Sequence, residues 1–363
     1  METVHKSMET TNISGKGSTN PSVTILLPAF NEASIITECL TILVDQLRSL
    51  GKKYDWDILI VNDGSSDDTG SLAEEFAKSR PNVSVVHNIV NLNLGGALRR
   101  GFKKAQGQYI VVLDIDLSFG PEHVERLMDA AIKEDADIVI ASPYMKGGKS
   151  TKVPFHRLLM SKALNRLMRH TSGINLHSFT GMARAYRKEF LDTLNLKTNN
   201  YSINPEIIHK AEILRGRIIE IPAHLDWTYQ VEHGQNRTSS VRIFKGILNG
   251  LMSSFIFRPY GFFMMIGLIL LLLSFYMIAW IFYHVSVVYP DIQVASEGFF
   301  DDRFSEAVSV VYNKRPHAFL IGGFTFVTAI QFLGLGFISL QKKRYFDELF
   351  HLNSSILKRT KDV

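Results

Sequence analysis

Tyr109-Ile110-Val111-Val112-Leu113-Asp114-Ile115-Asp116 decides the fold. Its first five residues form an unbroken apolar run, as a strand buried on both faces requires, and it ends abruptly in two carboxylates. Working outward, the same grammar repeats. Val23–Leu27 is a short β-rich run ending at Pro28, Asp57–Val61 ends in the turn-rich 62–69 stretch, and Val83–His87 and Asp137–Ala141 are further strands. Between them Ala33–Leu50, Ser71–Lys78, Gly95–Lys104 and Pro121–Glu134 carry apolar residues at helical spacing. Strands alternating with helices in this way predict an α/β fold with a mostly parallel sheet covered on both faces. Ligands of such sheets bind at the carboxyl ends of the strands, where Pro28–Glu32, Asp63 and Asp114–Asp116 all fall.

Two carboxylates one residue apart after a buried strand can address one divalent cation and its bound diphosphate, and Mg²⁺ or Mn²⁺ suits such oxygen donors. Alone, the pair also fits a solvated strand-to-turn junction. It does not stand alone. Pro28-Ala29-Phe30-Asn31-Glu32, Val61-Asn62-Asp63-Gly64-Ser65-Ser66-Asp67-Asp68-Thr69, Asn91-Leu92-Asn93-Leu94-Gly95-Gly96-Ala97 and Asp114-Ile115-Asp116 follow in that order. This series resembles glycosyltransferase family two, inverting enzymes of the GT-A fold, tightly over Val23–Ala141 and more loosely to about Ser240. The resemblance implies that Pro28, Phe30 and Glu32 line a nucleoside pocket, that Asp63 hydrogen-bonds base or ribose, and that Gly95-Gly96 lets the backbone pass close to the nucleotide. It also implies that Asp114 and Asp116 hold the metal.

Within the family the chain is similar to the polyprenyl-phosphate branch, the dolichol-phosphate mannosyltransferases and two-span bacterial polyprenyl-phosphate glucosyltransferases. Ser142-Pro143-Tyr144-Met145-Lys146-Gly147-Gly148 matches that branch's Ser-Arg-Tyr segment and Gly pair, with Pro143 where the branch has arginine. Thr180-Gly181-Met182-Ala183-Arg184-Ala185-Tyr186-Arg187 resembles its Thr-Ser-Gly-Phe-Arg-Ala-Tyr-Arg motif, departing at Gly181, Met182 and Ala183. On this likeness Arg184 is a candidate catalytic and phosphate-gripping residue, since a guanidinium can hold two oxygens at once.

The last third of the chain is different. Phe262–His284 and Ala318–Leu340 are nearly free of charge and long enough for the roughly 20 residues a bilayer core requires. Arg237, Arg242, Lys245 and Arg258 precede the first run, and Lys342, Lys343, Arg344, Lys358, Arg359 and Lys361 follow the second. The connecting loop is acidic at Asp291, Glu297, Asp301, Asp302 and Glu306. Basic flanks predict both termini, and with them the catalytic domain, on the cytoplasmic side. The expected organisation is a flexible tail over 1–20, a catalytic domain over 21–238 and a juxtamembrane amphipathic helix over 239–260. A two-span hairpin over 261–341 and a basic tail over 342–363 complete it.

Phe155–His170 places Met160, Ala163, Leu164, Leu167 and Met168 on one helical face and Lys162, Arg166 and Arg169 on another, and Val241–Phe257 is apolar along one side. Such helices suit a membrane interface, although the first equally suits packing on the domain. Arg237 and Arg242 stand near the junction as candidate contacts for an acceptor phosphate. The expected reaction is inverting, metal-dependent transfer of a hexose from a UDP- or GDP-sugar to a polyisoprenyl phosphate. The alternatives are transfer to a glycolipid or glycan hydroxyl, with Glu206 as base, and a non-catalytic nucleotide-sugar-binding scaffold. Gly322, Gly323, Gly334 and Gly336 would permit close helix packing in a homo-oligomer.

Several classes are excluded. A net charge of +5 is too small to point to nucleic acid, and a single cysteine rules out an intramolecular disulfide framework. No Gly-x-Gly-x-x-Gly follows the first strand, and no histidine pair has zinc-ligand spacing. Gln-x-x-Arg-Trp, the motif of processive polysaccharide synthases, is absent.

Overall fold

The computed structural model describes residues 20–172, 174–228, 259–293 and 302–361. The amino-terminal domain runs β1 (Ser22–Ala29), α1 (Ile36–Leu50), β2 (Asp55–Asn62), α2 (Thr69–Lys78), β3 (Val83–His87), α3 (Asn93–Lys104), β4 (Tyr109–Val112), α4 (Glu122–Lys133) and β5 (Ile138–Ser142). There follow β6 (Lys149–Thr151), α5 (Phe155–Ser172), β7 (Arg184–Arg187), α6 (Lys188–Leu191), α7 (Ile203–Ile213), β8 (Ile218–Pro222) and β9 (His224–Asp226). Seven strands pair in the order β3-β2-β1-β4-β7-β5-β8, all parallel except β7, which is antiparallel to both neighbours. The mostly parallel α/β sheet expected from the strand–helix alternation is therefore the observed architecture.

Both faces are covered because each helix carries one apolar stripe. Helix α1 buries Ile36, Cys39, Leu40, Leu43, Val44, Leu47 and Leu50, a three-and-four spacing that turns one side to the sheet. It shares that face with α2 and α4 through Phe76, Leu127 and Met128. The opposite face holds α3, α5 and α7, through Leu98, Phe102, Met168, Ile203 and Ile207. Helix α5 thus packs on the domain with part of its apolar face, while Phe155 and Leu159 near its start are exposed.

Pro28 does not end β1, as expected from its missing N–H, but lies inside it, paired with Val61 of β2. The reason is geometric. The Leu26 carbonyl accepts from Leu113 N–H, so Leu26 and, two residues on, Pro28 turn their backbone towards β4. Strand β4 has by then ended at Val112, and no donor is needed there.

The carboxyl-terminal part is a helical hairpin of α8 (Pro259–Val288) and α10 (Pro316–Lys361), with α9 (Asp302–Lys314) packed against its turn through Ala307, Val311 and Val285. Both long helices are apolar enough to cross a bilayer, and the expected runs 262–284 and 318–340 lie inside them. Ser274 Oγ donates to the Gly322 carbonyl at 3.0 Å, and Gly267 and Gly336 pack against Leu333 and Met264. Gly322 and Gly336 are thus used within the hairpin, while Gly323 and Gly334 have open space around them. Helix α10 continues unbroken through the basic stretch to Lys361. Residues 1–19, Arg237, Arg242 and the amphipathic stretch up to residue 258 lie outside the described residues.

Leu43 is fully buried between α1 and the sheet. Leu43→Ala is expected to lower the unfolding free energy by about 2–5 kcal/mol, measured by denaturant unfolding of the detergent-solubilised protein.

Candidate active site

The strand order locates the site. Chain progression runs from β1 outward to β2 and β3, then reverses to β4 on the other side of β1, so the topological switch point lies between β1 and β4. The Leu113–Leu26 bond, at 3.2 Å, is the last rung there, and beyond it β1 and β4 no longer pair, which leaves the ends of the two strands as the candidate crevice.

The β1–α1 loop forms one wall. Asn31 takes a left-handed φ of 56°, and its amide donates to Ser65 Oγ at 3.0 Å while its Oδ1 accepts from Ser66 N–H at 2.9 Å. Glu32 N–H donates to Thr69 Oγ1, and Ala33 N–H to Asp67 Oδ2. Burial pushes the Asp67 carboxyl up, but hydrogen bonds from Thr69 and from the Ala33 amide outweigh it and hold the group below its ordinary value. The wall is thereby stapled to the β2–α2 loop. Phe30 is half-exposed on it, and Glu32 is buried.

Asp63, at the end of β2, is buried, and its Oδ1 accepts from Asn88 Nδ2 at 2.6 Å and from Leu92 N–H at 2.9 Å. It anchors the 88–92 loop, which crosses Gly64 so closely that a Cβ there would lie 2.6 Å from the Val90 carbonyl carbon. Ile89, at 99% exposure, and Val90 form an apolar rim. Gly95 is also required by the protein itself, because a Cβ on it would collide with the Thr198 carbonyl.

On the other wall Asp114 and Asp116 are half-buried, with Ile115 turned into the core between them. Asp116 Oδ1 accepts from Ser118 N–H at 3.0 Å, and Leu117, at φ 49°, closes the turn onto the Asp114 carbonyl. Two carboxylates make an incomplete set for a divalent ion, and no cluster of three or more His, Cys, Asp or Glu occurs among the described residues. A donor set of this kind fits Mg²⁺ or Mn²⁺ when phosphate oxygens of a ligand fill the remaining positions.

The two-stranded sheet of β6 and β9 abuts this turn. Asp226 N–H donates to the Ser118 carbonyl at 2.8 Å, and Trp227 N–H to Thr151. The Arg157 guanidinium lies 4.9 Å from the centroid of the Trp227 ring. Hydrogen bonds from Thr228, then the nearby His224 and Lys152, keep the Asp226 carboxyl below its ordinary value against a smaller opposing effect of burial. Asp226, Trp227 and Arg157 are not among the expected site residues. Asp226 meets the carboxylate turn through tertiary pairing with Ser118, and Trp227 and Arg157 stand beside it, an arrangement for which the sequence carries no local signal.

A family model, glycosyl transferase family 2, matches residues 24–194. The polyprenol monophosphomannose synthase of Mycolicibacterium smegmatis is 32% identical over 205 residues, which cover 54% of this chain and 75% of that protein. The chain belongs to glycosyl transferase family 2. The dolichol-phosphate mannosyltransferase of Pyrococcus furiosus is 32% identical over 203 residues, 55% of this chain and 55% of that protein. Among solved structures, glucosyl-3-phosphoglycerate synthase from Mycobacterium tuberculosis matches 57% of this chain and 69% of its own, with a TM-score of 0.43 and 19% identity.

Two residues of this family 2 glycosyltransferase do other work than expected. Arg184 is 0% exposed and donates to three backbone carbonyls, Phe179 at 2.7 Å, Gly181 at 2.8 Å and Asn204 at 3.2 Å. It knits the 179–181 loop to α7, and a guanidinium so enclosed offers nothing to a phosphate. Glu206, weighed as a base, is 2% exposed and accepts from Lys197 N–H, Thr198 N–H and, at 2.6 Å, Lys210 Nζ. Burial would raise its carboxyl, but Lys210, Thr198 and Lys197 outweigh burial and hold it below its ordinary value.

A carboxyl depressed in the folded state stabilises above its unfolded pKa and loses that contribution as pH falls through its folded pKa. Glu206→Gln is therefore expected to cost about 3–5 kcal/mol at neutral pH, by leaving Lys210 buried and unpaired. The gap to wild type, followed by thermal unfolding, should narrow as the pH is lowered below the ordinary carboxyl value of 4.5.

Proposed function

We propose that this glycosyltransferase carries out an inverting, metal-dependent transfer of a hexose from a UDP- or GDP-sugar to a polyisoprenyl phosphate at the cytoplasmic membrane face. The observation that carries the reading is a half-buried carboxylate pair at the switch point of the sheet, in a chain that also bears two candidate membrane spans. The names of the mycobacterial and archaeal relatives support a lipid-phosphate acceptor and a hexose donor.

The donor lies across the crevice, its nucleoside against Pro28, Phe30 and the Asp63-anchored loop and its diphosphate towards Asp114 and Asp116. Mg²⁺ or Mn²⁺ on that pair supplies charge neutralisation for the departing nucleoside diphosphate. Arg157, oriented over Trp227, takes the phosphate-holding role that enclosed Arg184 cannot fill. A lipid phosphate is already anionic and needs no general base, which agrees with Glu206 being committed to the protein. The phosphate oxygen forms a bond to the anomeric carbon, the bond to the nucleotide oxygen breaks, and the electron pair leaves with the diphosphate. A single displacement turns an α-linked donor into a β-linked product.

The proposed organisation is a catalytic domain over 21–238, a juxtamembrane stretch to 260 and a hairpin to 341. The arm of α10 beyond the hairpin meets α7, which supports a common side for the arm and the catalytic domain. Basic flanks favour the cytoplasm for that side. One observation favours a second reading: Asp226, tied to the carboxylate turn through Ser118, is a carboxylate near the site that could serve as base if the acceptor were a glycolipid hydroxyl.

Purified protein should transfer label from one member of a panel of UDP- and GDP-sugars to polyprenyl phosphate with Mn²⁺ or Mg²⁺. Asp116→Asn or chelation should reduce transfer by at least ~100-fold. A product of retained α configuration would overturn the single displacement, and transfer to glycolipid alone would favour the hydroxyl reading. Arg157→Gln should raise the KM for polyprenyl phosphate about tenfold or more with little change in donor KM.

A further inference from the structure

The Glu206–Lys210 ion pair is nearly sealed, at 2% and 6% exposure, and takes no part in the chemistry above. Its hydrogen bonds run into the loop that precedes α7. Lys210 Nζ donates to the Asn195 carbonyl at 2.8 Å, and Glu206 accepts the Lys197 and Thr198 amides at 2.9 Å each. The far side of this loop is held by Arg99, whose Nη1 donates to the Lys197 carbonyl at 2.9 Å and to Asn199 Oδ1 at 2.7 Å. The loop in turn sets the start of α3. Gly96 N–H donates to the Asn199 carbonyl at 3.2 Å, and Gly95 has no room for a Cβ because the Thr198 carbonyl fills the space. The residues leading into α3 are those that Asp63 anchors on the crevice wall.

On its other side the pair meets the arm of α10. Lys210 Nζ stands 5.8 Å from the centroid of the Phe350 ring, which stacks on Phe346 at 6.0 Å. A buried ion pair stabilises little more than an apolar pair of the same size would, so thermodynamic stability is a poor account of its presence.

We propose that Glu206 and Lys210 are positioning residues for the donor nucleotide, fixing the start of α3 through the 195–199 loop, and that the α10 arm covers them through Phe350. The inference rests on the donor lying in the crevice between β1 and β4. It makes donor affinity depend on a helix that continues from a candidate membrane span.

The test is equilibrium binding of UDP and of GDP, with Mn²⁺, to full-length protein in detergent, alongside donor and acceptor kinetics. Glu206→Gln should weaken binding of the recognised nucleotide about tenfold, the scale of one charge-assisted hydrogen bond. Phe350→Ala and Arg99→Gln, milder changes that carry the test if Glu206→Gln does not fold, should each weaken it about threefold. The KM for polyprenyl phosphate, and kcat at saturating donor, should stay within about twofold of wild type, the signature of a loss confined to donor binding. Unchanged nucleotide affinity in folded variants would overturn the inference while leaving the crevice as the donor site. Parallel rises in donor and acceptor KM would overturn it too, by showing general loosening. Wild-type protein that binds neither nucleotide would remove the donor-site reading itself, and the inference with it.

Discussion

Everything that this domain can do at its crevice depends on two strands ceasing to pair. β1 and β4 share a ladder as far as the Leu26–Leu113 bond and then part, because β4 stops and Pro28 has no N–H to continue the ladder. Had β4 run on beside β1, the crevice would be filled by ordinary sheet. Because it does not, the loop that carries Phe30 and the turn that carries Asp114 and Asp116 both start from the switch point of a doubly covered sheet.

The loops around that opening are held mainly by side chains rather than by regular structure. Asn31, Asp67 and Thr69 lock the first wall, Asp63 and Asn88 the second, and Ser118 ties the carboxylate turn to the small β6–β9 sheet. Pre-set walls matter for a transferase, since part of the entropy of arranging its substrates is then met before they arrive.

The sheet was legible in the sequence because parallel strands buried on both faces read as apolar runs, and the carboxylate pair was legible because it interrupts one of them. Strand β7 was missed because Arg184-Ala185-Tyr186-Arg187 looks polar, although its first three residues are buried. The same residue shows why local motifs mislead about role. Nothing near Arg184 in the chain reveals that its guanidinium is spent on carbonyls at 179, 181 and 204. Nor does anything near Gly95 reveal that Thr198, about a hundred positions away, packs against it. Arg157 and Trp227 lie seventy residues apart, a pairing no spacing rule could have proposed.

Helix α10 contains 46 residues, so at about 1.5 Å per residue it is close to 70 Å long. No Gly or Pro interrupts it between the apolar run and Lys361. A rod of that kind is a ruler as well as a connector. It fixes how far from the hairpin the arm meets α7. One residue inserted just after Leu340 would raise the arm by a fraction of a turn and rotate Phe350 by roughly 100° about the axis, away from Lys210. The distance from the end of the apolar run to the contact with Lys210 is in this sense counted in residues of a single helix.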